Sequence, residues 1–474
     1  MNRFEQIDNV YVIGIGGIGI SALARYFKGM GKTVAGYDLH KSELTQRLEG
    51  EGMSITYTDD VSTVPQPFFD GKERTLVIYT PAVPVTNSIF SFFKDNGYNM
   101  HKRAEVLGMI ADNYTTIAVS GTHGKTTNSC VIANILKCAG KDGFAFLGGI
   151  SRNIDSNLML PVGKGQYDNS ETLLVAEADE FDRSFLWLSP KIAIVTYVDA
   201  DHLDIYKDRN DIIDTFNQFV QKCKPDGVVI VNKKIDTLIN AKSIRKVTYS
   251  ESDDSCDYYA TNVRLANGTY TIDAVTPAGV IRDITIGAKG RVNVENTMAC
   301  VAAAQSAGID EAHIKEGIAT FNGVKRRMEF HVNTPGMVYI DDYAHHPREL
   351  AATIKSVREL FPGKKLTGIF QPHLYTRTRD LADGFAESLD ALDELILMDI
   401  YPAREKPIPG VDSQLIARKM KHCKVSLAND KDAIIAKLAA GKVEVLLTLG
   451  AGSVDRLVEP LTEFFGKTTS PTCV

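Results

Sequence analysis

The chain has 474 residues, 44% of them hydrophobic and 24% charged, with a net charge of −6 and a pI near 6.0. That acidic balance lacks the basic footprint of a general nucleic-acid binder, so nucleic acid is not an expected partner. Seven cysteines without a C-x-x-C pair, no apolar signal core and no bilayer-length apolar run point to a soluble, reduced, cytoplasmic protein of about three domains with no membrane partner.

From residue 1 to about 112, short apolar strands alternate with helices. Val10–Ile13 leads into Gly14-Ile15-Gly16-Gly17-Ile18-Gly19 and a helix to about Gly31. Thr33–Tyr37 ends at Asp38, and Leu76–Thr80 is broken by Pro81 and Pro84. Such alternation implies a parallel, doubly wound sheet. Gly14-x-Gly16-x-x-Gly19 with Asp38 beyond the second strand has the form of a dinucleotide fingerprint. Close backbone approach before a helix N-terminus suits any diphosphate, that of a UDP-sugar included. NAD, FAD and another phosphorylated ligand all stay open here, beside a turn kept only for packing.

A second domain, 113–328, opens on the strand Thr116–Val119, followed by Ser120-Gly121-Thr122-His123-Gly124-Lys125-Thr126-Thr127 and a helix to about Cys138. Two glycines let successive N–H groups curl toward an anion. Lys125 adds a charge for outer phosphates, and the Thr126 hydroxyl suits Mg²⁺. The loop is two residues shorter than the usual G-x-x-x-x-G-K-[ST], and its bland alternative is a strand-to-helix turn with an exposed lysine. A bound nucleoside triphosphate is the expectation.

Buried strands follow at Leu173–Ala176, Ile192–Thr196 and Val228–Val231. Glu177, Asp179, Glu180 and Asp182 sit at the carboxyl end of the first, where α/β sheets bind ligands. Glu177 abuts the strand and is expected to hold Mg²⁺. The other three also fit a solvated acidic loop. In Asp199-Ala200-Asp201-His202-Leu203-Asp204, His202 alone would read as a capped loop histidine; beside a phosphate loop it is expected at the metal or its water shell. Between Tyr258 and Ile286, short alternating strands around Asn267-Gly268 read as an antiparallel addition, before an Ala-rich helix at Val292–Ser306.

A third domain, 329–474, alternates strands at Met337–Ile340, Leu366–Phe370, Leu395–Met398 and Val443–Leu449 with helices around 349–360, 380–389, 413–421 and 433–439. Asp341-Asp342-Tyr343-Ala344-His345-His346-Pro347 closes the first strand, and Gln371-Pro372-His373-Leu374-Tyr375-Thr376-Arg377-Thr378-Arg379 the next. Arginines at such an edge can clamp a carboxylate or phosphate, or be ordinary surface residues. The tail, 468–474, is expected to be loose. The whole reads as α/β in three domains: N-terminal Rossmann-like, a central P-loop ATPase with added antiparallel strands, and C-terminal Rossmann-like.

These segments, with 176–185 (AEADEFDRSF), 290–296 (GRVNVEN), 326–329 (RRME) and 407–413 (PIPGVDS), resemble the Mur ligases, specifically their alanine-adding branch, over almost the whole chain. The resemblance implies UDP-sugar binding in the first domain, ATP hydrolysis in the second, and a third that closes over the nucleotide. It implies ATP and Mg²⁺, with UDP-N-acetylmuramate and L-alanine joined through an acyl phosphate at the lactyl carboxylate, a step in peptidoglycan precursor synthesis.

Gly14, Gly16, Gly17, Gly19 and Asp38 would then serve the UDP-sugar, and Gly121, Thr122, His123, Gly124, Lys125, Thr126 and Thr127 the ATP phosphates. Asn293 and Asn296 would hold adenine, and Arg327 and Asp342 the phosphate or ribose. Thr126, Glu177 and His202 would hold the metal, while His345, His373, Arg377 and Arg379 would border the amino-acid pocket. Lys125, His202, Arg327 and His345 would be catalytic, with His202 or His345 as the base. Three departures stand out: Tyr197 where the family often has Asn, Val292 in place of a usual His, and no Lys near Phe216. Rival readings are a ligase recycling a preformed tripeptide onto the same UDP-sugar, a nicotinamide oxidoreductase and a non-catalytic UDP-sugar sensor. Oligomeric state is not legible.

Overall fold

The computed structural model describes residues 4–161, 172–199, 205–403 and 405–468. His202 and most of the tail fall outside them. The chain forms two compact units: residues 1–288 with 294–322, and residues 289–293 with 323–474.

The first unit holds two sheets. Strands β1 (Asn9–Ile13), β2 (Thr33–Tyr37), β3 (Ser54–Thr56), β4 (Thr75–Tyr79) and β5 (Asn99–Lys102) are all parallel, in the order β3-β2-β1-β4-β5. This is the doubly wound order, whose crevice lies beyond the carboxyl ends of its strands. The second sheet has ten strands: β6 (Thr115–Ser120), β7 (Gly143–Ser151), β8 (Ser156–Met159), β9 (Leu173–Glu177), β10 (Ile192–Val195), β11 (Val228–Asn232), β12 (Arg245–Ser250), β13 (Tyr258–Ala266), β14 (Thr269–Thr276) and β15 (Gly279–Ile286). They run β15-β14-β13-β12-β11-β10-β6-β9-β7-β8, antiparallel only at the two ends.

The central strands are continuous apolar runs because both faces are covered; Ile192–Val195 and Val228–Val231 are wholly buried. At the edge, Asn267 and Gly268 both take positive φ (52° and 69°), the backbone that a two-residue hairpin matched to strand twist requires. The first two sheets share one core. Tyr26, on the helix Ile18–Gly29, packs its ring 5.5 Å from Phe144 and 5.6 Å from Phe146 of β7. On the same helix Arg25 is clamped by Glu51 and bonds Asn157 of β8, which in turn reaches Ser21 Oγ (2.9 Å).

The second unit carries β16 (Glu329–Asn333), β17 (Val338–Asp342), β18 (Leu366–Phe370), β19 (Glu394–Leu397), β20 (Lys424–Leu427) and β21 (Val445–Leu449), ordered β16-β17-β21-β18-β19-β20 and parallel except for β16. The helix expected around 413–421 shrinks to Gln414–Ala417. The one around 380–389 is preceded by a separate turn of helix, Tyr375–Asp380.

Candidate active site

The phosphate loop joins β6 to the helix Lys125–Cys138, whose N-cap, Gly124, is left-handed (φ 80°) and supplies no side-chain cap. The first-turn N–H groups therefore face outward to be met by an anion. Gly121 (φ 126°) packs so tightly on β10 that a β-carbon would collide with Thr196 Oγ1 and lie 2.8 Å from the Tyr197 nitrogen. Thr122 N donates to Tyr197 O (3.0 Å), and Thr196 Oγ1 donates to His123 O. Thr126 is buried and Thr127 half-buried in the helix's first turn. Thr122 Oγ1 is buried with no hydrogen-bond partner among the described residues, a polar atom that an oxyanion would satisfy.

Lys125 does not wave in solvent. Its Nζ donates to Gly121 O (2.8 Å) and to Glu180 Oε2 (2.7 Å), and Glu180 is 1% exposed. Burial disfavours its charge, but Glu180, Asp179 and Glu177 outweigh that and raise its pKa, so it stays an ammonium. The acidic run is thus no solvated loop. Asp179 faces Arg103 (3.5 Å) and Asp182 pairs with Lys102 (3.0 Å).

Glu177 ends β9 in register with Val119 of β6. It borders a cavity of about 130 Å³ lined by Ile18, Gly19, Arg103, Phe146, Gly148 and Asp179, among others. The cavity therefore runs from the first glycine turn to the strand end beside the phosphate loop. Arg103 crowds Gly19 so closely that a β-carbon there would lie 2.5 Å from Nη1.

In the first turn, Gly14 takes φ 85° against Thr80, and Gly17 caps the helix without a side-chain bond. Asp38, expected to meet ligand, is engaged by its own backbone: Oδ2 accepts from Gly16 N (2.8 Å) and Oδ1 from His40 N (3.1 Å). It braces the turn.

Around the phosphate loop, Asn296 Oδ1 accepts from Asn128 Nδ2 (3.0 Å), which also donates to Gly124 O (2.9 Å). His123 Nε2 lies 3.2 Å from Asp199. Tyr197 has a local reason: its hydroxyl donates to Glu295 (2.6 Å), and Lys234 Nζ donates to both. With burial and Glu295 beside it, the phenol is pushed up to about 12. Asn293 lies in the second unit's segment 289–293, its amide on Lys289 O (2.6 Å). Val292 is exposed.

In the second unit, Asp342 is buried at the end of β17. Its carboxylate accepts from Met328 N (2.7 Å) and Ala344 N (2.8 Å). Burial pushes Asp342 up to about 6 despite the opposing charge of Arg327. Its described contacts make it a clamp on its own backbone. Arg327 stacks 5.2 Å over Tyr343 and faces Glu349 at 3.8 Å.

His345 Nδ1 lies 3.0 Å from Tyr343 O; a carbonyl can only accept, so the neutral ring carries its lone pair on Nε2. Burial lowers the His345 pKa, with Arg377 and Arg327 reinforcing that against Glu349. The His345 and His373 rings are 6.2 Å apart, and His373 stacks on Tyr401. Arg377 belongs to this cluster, but Arg379 does not. Both lie on the helix Tyr375–Asp380, where residues two apart point to different faces, and Arg379 is exposed and paired with Asp380 (2.7 Å). Sequence reasoning missed Arg103, Gly148 and the burial of Glu180; the Lys102-Arg103 pair opening a helix was the available signal for the first.

Three family models match the chain: "Mur ligase family, catalytic domain" over residues 9–115, "Mur ligase middle domain" over 119–304, and "Mur ligase, glutamate ligase domain" over 326–452. The UDP-N-acetylmuramate–L-alanine ligase of Parabacteroides distasonis is 47% identical across 98% of both chains. That of Phocaeicola vulgatus is 44% identical over 98% of this chain and 99% of its own. Among solved structures, UDP-N-acetylmuramate-alanine ligase MurC from Thermotoga maritima superposes with a TM-score of 0.81 at 24% identity, covering 97% of this chain and 100% of its own. A murein peptide ligase from Psychrobacter arcticus gives 0.69 at 22%, covering 96% and 98%; at these identities the likeness is one of fold. On its sequence, and with the phosphate loop and sheets just described, the chain belongs to the Mur ligase family.

Proposed function

We propose that this chain is an ATP-dependent ligase joining L-alanine to the lactyl carboxylate of UDP-N-acetylmuramate, in the cytoplasm, in peptidoglycan precursor synthesis. The observation that carries the reading is the cavity running from the first glycine turn to Glu177, beside a loop whose lysine is buried among carboxylates. A UDP-sugar diphosphate on the Gly14–Gly19 turn would direct its acid group along that cavity, with Arg103 as an anionic-oxygen contact. The tripeptide-recycling rival is less favoured, since relatives at 44–47% identity carry the alanine-ligase name.

The chemistry follows from where the charges sit. The substrate carboxylate attacks the γ-phosphorus of ATP, giving an acyl phosphate and ADP; the alanine amine attacks that carbonyl and phosphate departs. Lys125 exchanges Glu180 and Gly121 O for the outer phosphates, while the loop N–H groups and the Thr122 hydroxyl hold the remaining oxygens. Thr126, in the first turn of the helix that follows β6, and Glu177, at the end of the neighbouring strand β9, are hard oxygen donors, a set that fits Mg²⁺. When bound, Mg²⁺ supplies charge neutralisation on the phosphate oxygens.

The second unit carries the amino-acid contacts His345, His373 and Arg377. Neutral His345, with its lone pair on Nε2, suits removal of the ammonium proton. Arg327 is read as a cation for developing phosphate charge. Phosphate release from ATP, measured with UDP-N-acetylmuramate and alanine, glycine, serine or the tripeptide in turn, tests the reading. Turnover with alanine foremost is expected; turnover with the tripeptide alone would overturn it.

A further inference from the structure

We propose that Gly148 is a positioning residue for the Glu177 carboxylate, its missing side chain being the space in which that carboxylate stands. The inference rests on Glu177 as a Mg²⁺ ligand. Gly148 lies in β7, which runs parallel to β9 with Phe146 opposite Ala176. One pair further on, the strands reach Glu177, and its side chain crosses onto the glycine. A β-carbon at 148 would fall well inside contact distance of both carboxylate oxygens and of the carbon between them. All three atoms are blocked together, so the carboxylate lies broadside over the glycine. These atoms are the far end of a flexible side chain, so the collision is relieved by turning the carboxylate off the glycine.

The consequence is directional. With a hydrogen at 148, Glu177 turns into the cavity it shares with Arg103 and Asp179, close enough to Lys125 to raise its pKa. With a methyl there, the carboxylate is driven away from the strand end where a phosphate-bound cation would meet it. Outer residues that orient a metal ligand are worth about 10–100-fold in metal affinity when altered. The effect belongs to position, since G148A removes no donor.

The test uses Mn²⁺ as the probe, titrated by electron paramagnetic resonance into the full chain with ADP, for the wild type and for G148A, E177Q, E177D and G148A/E177D. G148A and E177Q are each expected to weaken Mn²⁺ binding about 10–100-fold. In the E177D background, where the carboxylate is one methylene shorter, G148A is expected to add little, because side chains in contact are non-additive. Unchanged Mn²⁺ affinity in G148A beside a loss in E177Q would overturn the inference and leave Glu177 as a ligand. Unchanged affinity in E177Q would instead overturn the metal reading beneath it. Should G148A fail to fold, G148A/E177A is expected to fold, the colliding group being gone; a double variant as unfolded as the single would refute the collision.

Discussion

The two glycine turns of the first unit use the same backbone device in opposite electrostatic settings. At 14–19 the protein supplies its own anion: Asp38 takes the Gly16 N–H, no cation belongs to the turn, and Arg103 arrives from a distant helix. At 121–124 the cation, Lys125, is built into the helix start and held by the buried Glu180, with Asp179 and Glu177 adding to the field. The first is a rigid cradle suited to a diphosphate that is only held. The second is a compensated charge cluster, able to release its lysine when phosphate displaces a carboxylate. Backbone geometry suits both turns to anions; side-chain charge decides which is suited to chemistry.

That contrast is most exposed to Lys125→Ala. Ligation is expected to fall at least about 10²–10³-fold, the scale for loss of one preorganised charge donor, while UDP-sugar binding stays near wild type by calorimetry. Glu180 is then left buried without this cation, which costs about 3–5 kcal/mol, readable in denaturant unfolding. Equal loss of both ligands would merge the two turns. Next in size, Arg103→Ala should raise the KM for UDP-N-acetylmuramate about 10–100-fold at unchanged KM for ATP, one charge-assisted bond being worth about 1.5–3 kcal/mol. A change confined to ATP would assign Arg103 to the wrong turn.

The second unit sharpens the comparison, because the groups proposed there for the substrate are side chains rather than glycine backbone. Arg377→Ala should raise the alanine KM by about tenfold, a charge-assisted bond's worth, and Arg379→Ala should leave it within error. An equal effect would mean that Arg379 leaves Asp380 on binding. The smallest effect is on pH. His345 is lowered from 6.5 by burial, so the imidazole is neutral above that value. If it is the base, kcat/KM for alanine should lose activity only below pH 6.5; a limb above 6.5, or one unmoved by His345→Asn, would remove it. Asp342, raised to about 6, titrates with the opposite consequence for folding. Between its unperturbed 3.8 and about 6 the native state holds the proton that the unfolded chain has lost, so this group's contribution to stability falls as pH rises.

Much of the frame was legible. Short, β-branched apolar runs such as Ile192–Val195 read as strands covered on both faces, and Gly-Lys-Thr at a strand-to-helix junction has one common physical use. Strand β7, interrupted by Gly148 and Gly149, and the short edge strands β8 and β20 were missed, since nothing in their local pattern separates strand from loop. Asp179, Glu180 and Asp182 look alike in sequence. Only folding shows that Glu180 is sealed against Lys125, while the other two face Arg103 and Lys102. Arg377 and Arg379 looked equivalent until a turn of helix sent them to different faces.

By itself the sequence determined the residue types, the alternation of the main core strands with helices, the two glycine turns and the family. Those properties depend on neighbours within a few positions, where sterics and periodicity act. Tertiary structure alone decided that Asp38 braces its own turn, that the first two sheets share a core, and that Gly148 makes room for Glu177. Each joins residues 22 or more positions apart, and at that range a contact is set by how sheets stack and which space a missing side chain leaves.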